Sequence, residues 1–294
     1  MIIINKNFGE RTLKICVDGG FTCPNRDGTK GIGGCIFCSE KGSGELIMKV
    51  GGNIKEQVEH YFTTYRAKRA NKFIVYFQNF TNTYDTVQNL KKKYDEALID
   101  DRIVGLEIGT RPDCINEEIA KLLSTYLDKY HVCVELGLQT YNDEIGEIIN
   151  RKYTTKDFIN AVNILHKYNI EVVAHIMVGL PKETKQDILN TVNLINTLPI
   201  QGVKIHSTYV VKNTKLEEMY KSGEYQALEL DDYIETLIDI MVNLRPDLII
   251  HRISGDAPKD ILVAPSWNAH KMWILHGFEK RFEGRNLYQG EKYK

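Results

Sequence analysis

Cys23, Cys35 and Cys38, close together near the start of the chain, have the clearest chemical potential. They form a CX11CX2C arrangement inside GGFTCPNRDGTKGIGGCIFCSEKGSG, residues 19–44, where eight of 26 residues are glycine. Glycine at that density lets backbone fold tightly around something bulky and turn its N–H groups inward. A structural zinc site takes four ligands, and this loop offers no histidine and no fourth cysteine. A cubane iron–sulfur cluster on three cysteines leaves one iron open to an outside ligand, so the shortage makes chemical sense there. A catalytic zinc on three thiolates and a CX2C redox pair stay open on the loop alone.

The loop follows an apolar strand, LKICVD (13–18), and from residue 72 to 208 five more such runs succeed it: FIVYF (73–77), IVGLEI (103–108), VCVELGL (132–138), IEVVAHIMV (170–178) and GVKIHS (202–207). Stretches of helical period separate them, at 54–65, 86–98, 116–128, 157–168 and 185–196; the second puts Val87, Leu90, Tyr94 and Ala97 on one face. Six βα units with no order reversal predict an α/β fold, a partial (β/α)6 TIM-type barrel, with the cysteine loop at the carboxyl end of strand one, where such folds build active sites. Residues 1–208 are expected to form this barrel. Residues 209–294 form a C-terminal extension packed on it as part of the same structural unit, with a helix over 233–244, a strand LIIH (248–251) and a terminal helix over 267–278.

With 294 residues, 43% hydrophobic and 26% charged, the chain can bury a sizeable core, which excludes a disordered polypeptide and a disulfide miniprotein. A net charge of -1 excludes a polycation, so nucleic acid would need a local patch; residues 266–294 supply one, with six Lys or Arg against three Glu. The N-terminal apolar run is too short for a signal peptide and no window approaches a membrane span of about 18 apolar residues. A cytoplasmic protein is the expectation, whose six cysteines serve metal, catalysis or packing.

The wording of the chain, CPNRDGTKGIGGCIFC, YFQNFTNTY, GTRPDC, ELGLQT, NRKYT, HIMVGLP, GVKIH, HRISGD, APSW and a terminal YQG, resembles the radical S-adenosylmethionine superfamily, in particular the YhcC/YtqA family, in order from about residue 8 to 291. The loop departs from the superfamily's commonest CX3CX2C spacing. The resemblance implies that Cys23, Cys35 and Cys38 bind a 4Fe-4S cluster whose open iron takes the amino and carboxylate groups of S-adenosylmethionine. Reductive cleavage of that cofactor to a 5'-deoxyadenosyl radical follows, with an electron donor such as flavodoxin or ferredoxin.

Polar residues at strand ends mark the positions that face a ligand. Gln78 and Asn79 follow strand two, where superfamily members cradle the methionine amino group, although this chain lacks their glycine-glycine-glutamate motif. Glu107 and Arg111 belong to the third strand and its TRPD segment; by resemblance to relatives that carry a carboxylate at the position of Gly109, Glu107 is expected to substitute for it. Glu135 and Gln139 end strand four, and by resemblance to coproporphyrinogen-type radical enzymes Gln139 and Arg151 bind ribose and carboxylate of the cofactor. His175, where the porphyrin enzyme has Asp, is expected to contact the cofactor. With Lys204 and His206 it is assigned to catalysis at the barrel mouth, beside Arg252. Cys16 and Cys133 read as small hydrophobes, Cys114 as an extra thiol of open role, and Trp267 as the aromatic to watch.

The resemblance extends to the radical subunit of Elongator and implies a tRNA partner: a carboxymethylaminomethyl group on C5 of the wobble uridine becomes aminomethyl, for a downstream methyltransferase. A radical enzyme acting on a small metabolite or protein, and a non-catalytic zinc-binding protein, are the alternatives.

Overall fold

The computed structural model describes residues 9–42, 52–255 and 257–294; the N-terminal apolar run and the last two residues of the expected cysteine loop lie outside them. Strands β1 (Thr12–Val17), β2 (Lys72–Phe77), β3 (Ile103–Thr110), β4 (His131–Gln139), β5 (Glu171–Val178) and β6 (Gly202–Ser207) lie side by side, all parallel, in the order in which the chain makes them. With no reversal of order the sheet curls as a partial barrel. After β6 come a two-residue strand, β7 (Val210–Val211), and then β8 (Ile249–Arg252), which pairs parallel with β6. The barrel sheet therefore has seven strands where the sequence predicts six: the LIIH run belongs to it. β7 pairs antiparallel with β9 (Leu262–Ala264) in a separate ribbon.

Alternation along the strands decides which side the helices cover. Ile15, Val75, Leu106, Val134, Val172 and Val203 point outward into one apolar cluster. Into the same cluster go Val58 of α1 (Ile54–Thr63), Leu90 of α2 (Val87–Ala97) and Leu123 of α3 (Glu117–Ser124). After the short α4 (Asp143–Ile148), Phe158 of α5 (Thr155–Lys167) and Val192 of α6 (Lys185–Thr197) complete the jacket. Each such side chain, fully buried, contributes about 2 kcal/mol. Capping boxes start α5, from Thr154 to Asp157, and α6, from Thr184 to Asp187, which satisfies backbone donors that the helices leave open.

α7 (Lys215–Ser222) packs on β7, while α8 (Leu230–Asn243) and α9 (Lys271–Gly284) pack on each other, with α8 also against α6. Trp267 is buried there, stacked 5.1 Å from Tyr233 with its indole N–H donating to Leu228 O at 2.9 Å, so it is a packing residue. No helix of the described residues is long and apolar enough to cross a membrane.

Candidate active site

The loop after β1 is held by its own backbone and by distant segments. Arg26 and Asp27 N–H donate to Cys23 O, Gly34 N–H to Asn25 O, and Cys38 N–H to Cys35 O. Asn25 Nδ2 donates to Asn150 O at 2.6 Å while Asn150 Nδ2 returns a bond to Gly34 O at 2.8 Å. Further on, Ile36 N–H donates to Ile149 O at 3.1 Å and Leu216 N–H to Ile36 O at 3.0 Å. The Arg26 guanidinium gathers the carbonyls of Cys38, Ser39 and Glu40. Gly34, at φ +84°, lets that side chain pass: a Cβ there would come within 2.8 Å of Arg26 Nε.

The opposite alternation of the strands puts Lys14, Tyr76, Glu107, Glu135, His175, Lys204 and His206 on the inner face, where the apolar cluster does not reach. Glu135 is the hub. It accepts from the Tyr76 hydroxyl at 2.6 Å, lies 2.8 Å from His175 Nε2, and pairs with Lys204 at 2.5 Å and Lys14 at 3.4 Å. Lys14 also pairs with Glu107. Burial alone would raise the Glu135 carboxyl, but Lys204, Lys14 and His175 outweigh it and hold the group well below the usual carboxylate range. Burial pushes Glu107 up, against the pull of Lys14. Burial also lowers Lys204, more than Glu135 restores, and sets His206 well below its ordinary value, helped by His175, Arg252 and Lys204.

A cavity of about 430 Å³ lies over this web, within the size range of small-molecule sites. The structure brings to its wall Cys23, Cys35 and Cys38 together with Gln78, Arg111, Glu135, Gln139, His175, Lys204, His206 and Arg252. Three of the residues singled out in the sequence stand off the wall. Glu107 lies beneath, tied to Lys14, and Asn79 is buried with its side-chain oxygen unpartnered. Arg151 is wholly buried, and all five of its N–H groups are used: on Tyr153 O, Leu138 O, Thr140 O, Asp143 and Thr155. Its guanidinium pins the end of β4 to the start of α5, with no donor left for a ligand.

Gln139 ends β4 at φ +60°, a left-handed conformation for a non-glycine residue, and accepts from the Tyr153 hydroxyl. Such outliers persist where the surroundings over-determine them, as at ligand sites. Arg111 is gripped by Asp113 and donates to Arg151 O at 2.9 Å, with Tyr153 under its guanidinium at 4.7 Å.

Several sequence expectations change. Cys16 is an exposed thiol on the cavity wall, because it shares the inner face with Lys14; Cys133 is buried, as expected. Cys114 is half-buried, its thiol pushed up to about 12 by burial and then by Asp113. Of the basic C-terminal residues, Arg281 pairs with Asp231 and Glu235, and Arg285 with Glu235, so both guanidinium groups face the acidic side of α8. Lys14, Tyr76 and Arg26 escaped the sequence reading. A lysine inside an apolar strand was the available signal for the first, since a buried charge needs a partner.

The donor set fits an iron–sulfur cluster. Three soft thiols share one wall, the ligand type that iron–sulfur clusters take. Cys35, beside Cys38, is lowered by a hydrogen bond from that thiol, a thiolate-favouring environment to which Arg111, Asn25 and Arg26 add.

Residues 23–195 match the model of the radical SAM superfamily, and residues 200–284 that of the Radical_SAM C-terminal domain. The chain is 36% identical over 289 residues to the uncharacterized protein YtqA of Bacillus subtilis, covering 98% of this chain and 90% of that one. It is 34% identical over 265 residues to protein YhcC of Escherichia coli, covering 90% and 85%. A more distant relative is the tRNA uridine(34) acetyltransferase of Dehalococcoides mccartyi, 31% identical over 161 residues, 53% of this chain and 34% of that one. Among solved structures, archaeal Elp3 of Methanocaldococcus infernus superposes with a TM-score of 0.67 at 20% identity, over 95% of this chain and 64% of that one, a likeness of fold.

Proposed function

The chain belongs to the radical S-adenosylmethionine superfamily, and on that premise we propose that it modifies the C5 side chain of a tRNA wobble uridine, converting carboxymethylaminomethyl to aminomethyl. The observation that carries the reading is the single cavity shared by three loop thiols and the polar ends of five successive strands. Support for the substrate comes from similarity to a chain named for its action on uridine 34 of tRNA.

Superfamily membership implies a 4Fe-4S cluster and S-adenosylmethionine, which together supply a radical able to take hydrogen from carbon. Cys23, Cys35 and Cys38 are the residues that would hold the cluster, on a loop fixed by Arg26 and Asn25. Gln78, Arg111 and Gln139 share the cavity wall with that loop and are the cofactor-binding candidates. His175, Lys204 and His206 line the same cavity and are assigned to face substrate. His206 is neutral at physiological pH, so it offers a hydrogen-bonding ring without a charge. The glycine-like methylene of the side chain is the chemically sensible site of hydrogen abstraction: S-adenosylmethionine, cleaved to methionine and 5'-deoxyadenosine, would serve as the two-electron oxidant that turns the arm's C–N bond into an imine, and water would then release the arm as glyoxylate and leave aminomethyl. A flipped base meets the need for an unstacked target. The reading implies an electron donor such as flavodoxin or ferredoxin and a downstream methyltransferase that takes the product.

The test is a comparison of tRNA nucleosides from a deletion strain and its parent. Carboxymethylaminomethyluridine should accumulate at the expense of aminomethyluridine and its methylated product. An unchanged wobble profile would remove tRNA as the substrate.

A further inference from the structure

The side chain in the proposed reaction carries an amine between two methylenes, and at neutral pH that amine is an ammonium. A carbon radical beside an ammonium has no lone pair to share, whereas one beside a neutral amine is stabilised and gives up its odd electron readily. A proton must therefore leave the nitrogen before hydrogen leaves the methylene, and a group in the cavity has to take it. Few side chains on the wall can do so. Arginines keep their protons at any ordinary pH and accept none. Lys204 meets both oxygens of the Glu135 carboxylate at 2.5 Å, and Glu135, held low against its burial by Lys204, Lys14 and His175, is a weak base. His206 Nε2 is buried without a hydrogen-bond partner, so no carboxylate steadies a charge on that ring. His175 differs. It lines the cavity, and its Nε2 lies 2.8 Å from Glu135 Oε2. A hydrogen on Nε2 directed at the carboxylate leaves the Nδ1 lone pair as the acceptor, and the carboxylate steadies the imidazolium that forms.

We infer that His175, oriented by Glu135, is the general base that takes the amine proton of the bound side chain. The inference rests on the wobble-uridine reading and assigns one residue its step. His175 Nδ1 accepts one N–H proton. One hydrogen atom of the methylene next to the carboxylate is then lost to 5'-deoxyadenosine, and the odd electron returns to the cluster, leaving a C=N double bond. Water adds to that carbon, the C–N bond breaks, and the imidazolium returns its proton to the departing amine. The oxygen of the water leaves in glyoxylate, one of its protons joins the amine and the other goes to solvent. The groups that bear on His175 are Glu135 of β4, Lys204 and His206 of β6, and His251 and Arg252 of β8. Burial lowers His175 first, and Lys204 and Arg252 add to this, more than Glu135 restores, so the ring is neutral and able to accept a proton at neutral pH.

The experiment follows an anticodon stem-loop whose wobble uridine bears carboxymethylaminomethyl, with the reconstituted full chain and rates taken per assembled cluster. Deuterium placed on the methylene next to the carboxylate and recovered in 5'-deoxyadenosine reports hydrogen abstraction. At about pH 7, His175→Gln should slow both deuterium transfer and formation of aminomethyl by about 100-fold or more. Its deficit against the unaltered protein should shrink by up to about tenfold for each pH unit gained, as the amine loses its proton unaided. His175→Ala should be restored in part by added imidazole. Glu135→Gln should move the acid limb of the rate profile to lower pH, because the imidazolium loses its carboxylate. A loss that neither alkali nor imidazole restores, or an unmoved acid limb, overturns the inference. So does a His175→Gln protein that keeps the parental rate while the unaltered protein converts the RNA; the wobble-uridine reading then stands. If the unaltered protein converts no such RNA, that reading falls and the inference falls with it.

Discussion

Glu135 and Lys204 form an ion pair across an intervening strand: the carboxylate on β4 and the ammonium on β6 meet over β5, with side chains 1% and 10% exposed. A pair so deep is strongly destabilising when one partner is removed, because the other stays buried and uncompensated. Glu135→Gln leaves Lys204 and Lys14 with Glu107 as the only nearby carboxylate among the described residues, and should cost about 3 kcal/mol in urea unfolding. A loss within error of zero would show that the web is soft and wet.

Acid should unfold the protein earlier than its carboxylates alone would require. Burial first, and then neighbouring cations, depress His175 and His206, and His251 is pushed down to about 4. A histidine lowered in the folded state is neutral there while the unfolded chain binds protons, so stability is full above the unfolded value, about 6.5, and declines as pH falls below it. The limiting slope is about 1.4 kcal/mol per pH unit for each histidine. Glu135, lowered in its turn, keeps its contribution until the pH drops below its ordinary range. Urea midpoints taken at about pH 7.5, 6.5 and 5.5 read the slope; a flat profile contradicts burial of neutral imidazoles.

Arg151 separates structural support from cofactor binding. With all five donors on protein acceptors, Arg151→Ala should lower the melting temperature sharply, by several degrees or more, and Arg151→Lys should rescue little of it. If the alanine variant melts like the parent but loses affinity for S-adenosylmethionine, the arginine is a ligand-binding group after all.

For the thiols, anaerobic reconstitution should give about four iron and four sulfide per chain, as a cubane cluster requires. Cys35→Ala should fail to assemble it and Cys133→Ala should not. Equal iron loss in both variants would mean that the ligand assignment is wrong.

The C-terminal arginines now carry a weaker expectation than their sequence suggests. Because Arg281 and Arg285 already face Asp231 and Glu235, replacing both by alanine should change tRNA affinity by less than about twofold at moderate salt. A larger, salt-dependent loss would place RNA on this helix.

The barrel was legible because its signal is periodic: Val- and Ile-rich runs at regular intervals, each followed by a helix whose cap, such as Thr184 or Asn116, is visible as a residue type. The seventh strand was seen as a strand but not as a barrel member, since LIIH gives no hint of its partner and β6 is found only in three dimensions. The cysteine loop and most strand-end polar residues were legible as polar interruptions of apolar runs. Arg151 was not, because a wholly buried guanidinium and one facing a ligand have the same letter; only the count of its acceptors tells them apart. Lys14 hid for the opposite reason, its partners Glu107 and Glu135 lying 93 and 121 residues away.

The bond from Leu216 N–H to Ile36 O has a consequence for biogenesis. A ribosome that has made the whole loop, residues 19–44, must still translate 172 residues to reach Leu216 before that latch exists. Until then the loop lacks one of the ties that hold its backbone in the folded chain. A truncated product ending before Leu216 would lack this tie on the loop's backbone.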